Sequence, residues 1–336
     1  MDSLTQAALG AVVAHGVLAK PMGRKALLLG AVLGTLPDLD VLIPYGNDVD
    51  NFIYHRGFSH SLFVLLTVSP FLAWVLHRVF SKLDLIQTLS YKRLLIAVTL
   101  ALCTHPLLDG FTSYGTQIFW PIGAPWHGPY PVAWSTIFII DPFYTLPLLI
   151  AVGIAFYQPL RSTASRVALG ISSIYLAWSI TAKHLVEKHV YELLEERSVN
   201  DAKIFSTPSP FTTLLYRIIA VDGDEVYEGH ISVLKLIGTK DYRPSFSNYS
   251  RNTNLVAKVS STNSTQDEIV SKLSWFSQGF YRIEKQQEKL IFTDLRMGEV
   301  DNYVFRFVVS EESEDFTEQL NVDYSFDNFR KVYEKL

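Results

Sequence analysis

The first 182 residues contain no glutamate. Their eight acidic side chains are all aspartate (Asp2, Asp38, Asp40, Asp48, Asp50, Asp84, Asp109, Asp141) against ten Lys or Arg, whereas residues 183–336 carry 25 acidic and 19 basic side chains. So little charge covers a soluble surface poorly, while the second half has the mixed charge of a water-exposed domain. Cysteine is scarcer still: Cys103 stands alone in 336 residues, which excludes a disulfide framework. It sits two positions before His105, off that residue's helical face, and reads as a small buried apolar side chain. There is no excess of positive charge either. A net charge of −4, without a local aromatic-plus-arginine cluster, argues against nucleic acid as a partner. At 49% apolar and 18% charged residues the chain is not a disordered tail. Length and the change in composition divide it into 1–182 and 183–336.

What is present in the first half is apolar sequence. Six stretches stand out: Leu4 to Ala19, Ala26 to Pro44, Phe58 to Leu76, Leu94 to Leu108, Thr136 to Tyr157 and Val167 to Ala182. The second, third and fifth are long enough to cross roughly 30 Å of hydrocarbon, and the other three are short for it. A soluble helical bundle would need a charged stripe on its helices, and these show almost none. No basic segment precedes the first stretch, so it reads as a retained helix and not a signal peptide. Basic connections alternate: Lys20, Arg24 and Lys25; Arg78, Lys82, Lys92 and Arg93; Arg161 and Arg166. The positive-inside rule places them in the cytoplasm, and places the N-terminus, the 45–57 and 110–135 loops and everything after Ala182 outside. The 110–135 loop lacks Lys and Arg and carries Phe119, Trp120, Trp126, Tyr130 and Trp134, which suits either an aromatic belt or plain packing.

The expected fold is mainly α: a multi-pass transmembrane helical domain (1–182, about six helices) followed by a small α+β, antiparallel β extramembrane domain (183–336). In the latter, Leu215–Ala220 and Val226–Val233 flank Asp222-Gly223-Asp224, a hairpin signal, and Phe280–Glu284, Leu290–Leu295 and Tyr303–Val309 continue the β pattern. The Ser/Thr/Asn-rich 245–266 region reads as a loop.

Polar clusters interrupt the apolar half, all at the outer ends of helices on this topology. Gly34 to Asp40 closes the second helix, His55 to Ser61 opens the third, His105 to Asp109 closes the fourth, and Asp141 lies early in the fifth. Asp2 and Thr5 open the first on the same side. His105 and Asp109, four apart, share a helical face, a spacing suited to two ligands of one metal. Asp38 and Asp40 both reach one centre only if the backbone at Pro37 is extended. Oxygen donors mixed with imidazoles suit zinc, manganese or iron, as one ion or two. Converging intramembrane aspartates are costly without a partner charge, and a divalent cation is the simplest one. Without metal, Asp38 and Asp40 would be helix-end and loop residues, and His105 and Asp109 an interhelical hydrogen bond. His15, His77, His127, His184, His189 and His230 have no acidic partner at useful spacing. Arg56 suits either an anionic substrate group or a salt bridge to Asp38 or Asp40. Ser59 and Ser61 lack the base and acid of a serine nucleophile.

These motifs resemble a known family. Met-Asp-Ser-Leu-Thr at the start, Leu-Pro-Asp-Leu-Asp (36–40), His-Arg-Gly-Phe-Ser-His-Ser (55–61), His-Pro-Leu-Leu-Asp-Gly-Phe-Thr-Ser-Tyr-Gly-Thr (105–116) and Ile-Asp-Pro-Phe (140–143) are similar to the YdjM-like inner-membrane metal-dependent hydrolases of bacteria, over residues 1 to about 160. Thr207-Pro-Ser-Pro and Leu214-Leu-Tyr-Arg217 resemble that family's C-terminal extension. The resemblance implies a multi-pass bacterial inner-membrane protein of generally unassigned substrate, with Asp2, Thr5, Asp38, Asp40, His55, Arg56, His60, His105, Asp109, Thr112, Ser113 and Asp141 at the matching positions. It departs at Gln6, where the family usually has His, so that position is either an orienting amide or a lost ligand.

The functional expectation is a metal-dependent hydrolase. A zinc or manganese ion, or two, held by Asp38, Asp40, His60, His105, Asp109 and Asp2, activates a water that attacks an ester or phosphoester. His55 and Asp141 are further ligands or the general base, and Arg56 neutralises charge on the attacked group. About 12 apolar residues precede Asp38 in its helix, which puts the site roughly 18 Å from the inner end. That depth suits a lipid or lipid-linked substrate. Two competitors share the residues: an ion or proton pathway, and a non-catalytic scaffold whose helices a metal merely staples.

Overall fold

The computed structural model describes residues 1–82, 89–122, 129–197, 199, 201–239, 241–251, 264–287, 289–299, 302–310 and 316–320. Trp126 and His127 lie outside the described residues.

Among the described residues, six main helices form the first half: α1 Ser3–Met22, α2 Arg24–Thr35, α4 Leu62–Lys82, α5 Tyr91–Gly110, α6 Pro142–Tyr157 and α7 Thr163–Glu196; a short α3, Asp48–Tyr54, lies between α2 and α4. Asp2 caps α1 by accepting from the Thr5 N–H, and Gly23 ends it with φ +53, a left-handed value that suits glycine. The chain then turns straight into α2. These two helices pack backbone to backbone, because a Cβ on Gly30 would stand 2.1 Å from the Gly10 carbonyl and one on Gly34 2.5 Å from that of Gln6.

Helix lengths differ from the sequence expectation. The run ending at Pro44 is not one spanning helix: α2 has only 12 residues, and a 3-10 turn, Pro37–Leu42, follows. Pro37 has no N–H to continue the α ladder and serves as the first residue of the turn. The fifth run likewise starts at Pro142, with Asp141 as its cap, leaving 16 residues. Among the described residues, α4 (21 residues) and α5 (20 residues) are long and apolar enough to cross a membrane. On α4, Phe63, Leu66, Phe71 and Trp74 are exposed, whereas α5 is enclosed through Leu94, Val98, Ala101 and Leu102.

The last part of α7 carries Val186, Val190 and Leu194, one turn apart, onto a four-stranded antiparallel sheet. Its strands, in order, are β1 Lys203–Pro208, β2 Leu215–Asp222, β3 Glu225–Ser232 and β4 Phe246–Ser250. The β2–β3 hairpin turns at Gly223, φ +56, as the Asp-Gly-Asp signal predicts. Strand β4 lies inside the region expected to be a loop. It is an edge strand, and its polar Ser-Asn-Tyr-Ser sequence hides the pairing to β3. Side chains alternate across β2: Tyr216, Ile218 and Ala220 face α7, whereas Ile219 and Val221 face Phe280, Leu295 and Tyr303. Beyond lie α9 (Ser264–Phe276), a second sheet of β5 (Tyr281–Gln286), β6 (Lys289–Asp294) and β9 (Arg306–Val308), and a small ribbon of β7 (Gly298–Glu299) and β8 (Asn302–Tyr303). One more short helix, α8 (Val233–Gly238), follows β3.

Helix α3 belongs by sequence to the first half but packs in the second. Its Val49, Phe52 and Ile53 are buried with Phe276, Phe292 and Phe307, and the Phe52 ring centroid lies 4.6 Å from that of Phe276 and 4.5 Å from that of Phe305. Tyr114 joins the same core.

Candidate metal centre

Four side chains from three separate segments meet at one point. Asp38 comes from the 3-10 turn after α2, His60 from the turn before α4, and His105 and Asp109 from successive turns of α5. Their facing atoms lie within 4.8 Å of one another. Asp38 Oδ1 is 3.4 Å from His60 Nε2 and 3.3 Å from His105 Nε2; Asp109 Oδ2 is 3.3 Å from each; the two imidazole nitrogens are 3.1 Å apart. His60, His105 and Asp109 are fully enclosed, and the Asp38 side chain is 21% exposed.

The imidazole partners fix what these atoms present. His105 Nδ1 lies 2.5 Å from the Gly34 carbonyl, an acceptor only, so Nδ1 donates and Nε2 carries a lone pair. Ser59 Oγ donates to Asp40 Oδ2 (2.6 Å) and can therefore accept from His60 Nδ1 (2.9 Å), which leaves His60 Nε2 with a lone pair too. Two imidazole lone pairs and two carboxylate oxygens thus converge. Asp109 Oδ2 is buried with no hydrogen-bond donor among the described residues. Such a set is repulsive unless a positive charge lies between its members. A tetrahedron with ligand distances of about 2.0–2.1 Å has edges of about 3.3–3.4 Å; five of the six separations come close to this and the sixth, between Asp38 and Asp109, is at most 4.8 Å, so the donor set fits a divalent cation such as zinc.

Around the four, other residues hold them in place. Asp109 Oδ1 accepts from Gln6 Nε2 (3.0 Å), lies 3.5 Å from Arg56 Nη2 and bonds the Met1 α-ammonium. Gln6 Nε2 also reaches the His105 carbonyl, so the amide that stands where a histidine was expected orients both α5 residues. Asp40 stands behind His60, its Oδ2 3.6 Å from that ring's Nδ1, and is not among the four. Its carboxylate accepts from the Arg56 N–H (2.9 Å) and Ser59 Oγ, and lies 2.9 Å from His55 Nδ1. Arg56 is buried with φ +63, a backbone strain held by Asp40 on one side and by the Gln117 N–H on its carbonyl (3.0 Å) on the other. Its guanidinium lies 5.1 Å over the Tyr114 ring, reaches Thr112 Oγ1 (3.4 Å), and leaves Nε without a hydrogen-bond partner among the described residues. Burial pushes the Tyr114 phenol up, against the opposing pull of Arg56, so the ring stays neutral under the cation.

Other predicted residues stand elsewhere. Asp2 caps α1 with Thr5, and Asp141 caps α6, accepting from Phe143 N, Tyr144 N and Tyr175 Oη. Ser113 Oγ bonds Ser135 and Thr207. His15 bonds Ser165 and the Pro159 carbonyl. His230 meets Glu299 at 3.1 Å, an acidic partner 69 positions away that spacing along the chain does not reveal. Ser59, the Gly34 carbonyl and Tyr114 were legible as members of motifs, though not as the link, the acceptor and the platform they form.

Comparison with known proteins gives the chain's relatives. The model of the family described as YdjM inner membrane protein matches residues 1–186. The inner membrane protein YbcI of Escherichia coli (strain K12) is 33% identical over 118 residues, 35% of this chain and 64% of that protein. The uncharacterized protein YfhP of Bacillus subtilis (strain 168) is 28% identical over 135 residues, 40% of this chain and 38% of that protein. The matched region thus spans less than two thirds of either relative. No solved structure matches the chain.

Proposed function

From the chain's membership of the YdjM inner membrane protein family, a match that covers residues 1–186, and from the four converging donors, we propose a multi-pass inner-membrane hydrolase that depends on a divalent metal and acts on an ester or phosphoester. Asp38, His60, His105 and Asp109 hold the cation, with zinc the best fit and manganese second. Once bound there, such a cation supplies a Lewis acid and eases deprotonation of water. Each turnover consumes one water, whose hydroxyl goes to the acid half and whose proton goes to the alcohol half.

The rest falls to the chain's own groups. Arg56, with its unpartnered Nε, binds the charged oxygen of the attacked group. His55 donates Nδ1–H to Asp40, which keeps Nε2 as a proton acceptor; its ring centroid lies 6.1 Å from that of His60. Asp40 and Ser59 orient His60, and Gln6 and the Gly34 carbonyl orient Asp109 and His105. Asp2 and Asp141 keep the helix ends in place. The observation that carries this reading is the buried guanidinium beside the four donors, which a structural staple does not need.

One observation favours a second reading. Four protein donors, five of whose six separations match the edges of a tetrahedron, resemble a closed structural site, and catalytic sites keep a position open. Under the hydrolase reading Asp38, the partly exposed donor, is the ligand that yields. The test is metal analysis of the full chain purified without chelator, with turnover on esters and phosphoesters. His105→Ala should lose both metal and turnover, whereas Arg56→Ala should keep metal and lose turnover. Full metal content with no turnover on any ester, and a melting temperature that collapses on chelation, would favour the staple.

A further inference from the structure

The turn that carries Asp38 is inside out. Of Pro37-Asp-Leu-Asp-Val-Leu, the polar side chains turn inward, Asp40 buried and Asp38 toward the histidines, while Leu39, Val41 and Leu42 are 53%, 70% and 75% exposed. A turn facing water would show the reverse, and contiguous exposed apolar side chains mark a surface that something covers. The surface is not confined to the turn. On α2, Leu28 and Val32 lie one turn apart on an exposed face that continues through Leu36 to Leu39, so one apolar stripe runs up the helix to the rim of the centre. The donor at that rim, Asp38, is also the one of the four that is not enclosed.

In a family of inner membrane proteins, the partner that covers such a stripe is the bilayer. We infer that the centre opens sideways into the lipid and that its substrate is a bilayer lipid with an anionic phosphoester head group. The acyl chains lie along Leu28, Val32, Leu36 and Leu39, and the head group turns in past Asp38 toward the Arg56 guanidinium. A soluble phosphoester has no use for the stripe and would have to cross it. The sideways opening stands on the exposure pattern and the family's membrane setting, while the fate of the lipid rests on the hydrolase reading above.

Two measurements separate these. In full-length Cys103→Ser protein reconstituted into phosphatidylethanolamine–phosphatidylglycerol vesicles, a nitroxide is attached at Leu39→Cys, at Leu42→Cys or at Glu192→Cys; Glu192 is on the exposed, charged end of α7. Relaxation by oxygen relative to a water-soluble nickel chelate should be several-fold higher at 39 and 42 than at 192. Equal accessibility at all three overturns the inference, whatever the turnover. In the second measurement, zinc-loaded protein is given phosphatidylglycerol in the bilayer or glycerophosphoglycerol in solution. The lipid should be cleaved in preference, and Leu42→Asp should reduce that cleavage at unchanged zinc content. Equal cleavage of the soluble diester overturns the lipid assignment. If neither is cleaved while the labels report lipid, the hydrolase reading fails and the sideways opening stands.

Discussion

Replacing Gly34 by alanine tests whether the contact between α1 and α2 sets the metal centre. The new Cβ would stand 2.5 Å from the Gln6 carbonyl oxygen, 3.0 Å from Gly10 Cα and 3.2 Å from Gly10 N. All three are backbone atoms and cannot rotate away. Carbon–oxygen contacts are comfortable from about 3.3 Å, so the helices must part by about 0.8 Å. Overpacking of this kind costs about 1–3 kcal/mol. The same displacement moves the Gly34 carbonyl from its 2.5 Å contact with His105 Nδ1, which fixes the tautomer and the aim of that ring. Loss of such an orienting contact typically lowers metal affinity about 10–100-fold, equivalent to about 1.4–2.8 kcal/mol. The assay is chelator competition for zinc together with thermal unfolding in detergent, each with and without metal. Gly153→Ala is the control, since nothing lies within 4 Å of its Cβ. It should bind zinc as the wild type does and gain about 0.5–1 kcal/mol of helix stability. A Gly34→Ala protein with wild-type zinc affinity and melting temperature would refute the reasoning.

Three further outcomes follow from the structure. Phe52→Ala should cost about 3–5 kcal/mol in thermal unfolding, since its ring is shared among Phe276, Phe305 and Phe307. Burial works to raise the Glu228 carboxyl, but Arg217 at 2.7 Å and the Tyr303 and Tyr249 hydroxyls outweigh it and hold its pKa below the usual 4.5. A carboxylate depressed by folding contributes stability that is complete above its unfolded pKa and lost as pH falls through the folded one, so melting temperature should drop below about pH 4.5, and Glu228→Gln should flatten that drop. His55→Gln should lower turnover and leave zinc content unchanged; unchanged turnover would rule out His55 as the proton acceptor.

Much of this arrangement is legible in the sequence because charge is so scarce in its first half. With eight aspartates in 182 residues, each polar cluster stands out, and the i, i+4 spacing of His105 and Asp109 survives intact in α5. The three-dimensional division of labour between Asp38 and Asp40 is not legible. They are two residues apart in the same motif, and only the handedness of the turn after Pro37 sends one toward the histidines and the other toward Ser59 and His55. Hydropathy also overstated α2 and α6, since apolar residues run through Pro37 and up to Pro142 without marking where the backbone ladder breaks. The hairpin at Gly223 was announced by local turn chemistry, whereas β4 was not, since a polar edge strand and a polar loop have the same composition. The burial of α3 among aromatic residues more than 200 positions away leaves no local trace at all.

Helix α7 runs without interruption for 34 residues, about 51 Å, from among the apolar helices to the face of the four-stranded sheet. The family match ends at residue 186, ten residues before that helix does. A chain shortened to the matched region would therefore end on a cut helix, and it would leave Phe52, Ile53 and Tyr114 without the rings that enclose them. Tyr114 is the surface on which Arg56 rests, so the shortened chain would keep all four candidate metal ligands while losing the support of the neighbouring cation. A protein confined to the family-matched region would thus say little about the whole, and boundaries for biochemical work belong beyond the last strand.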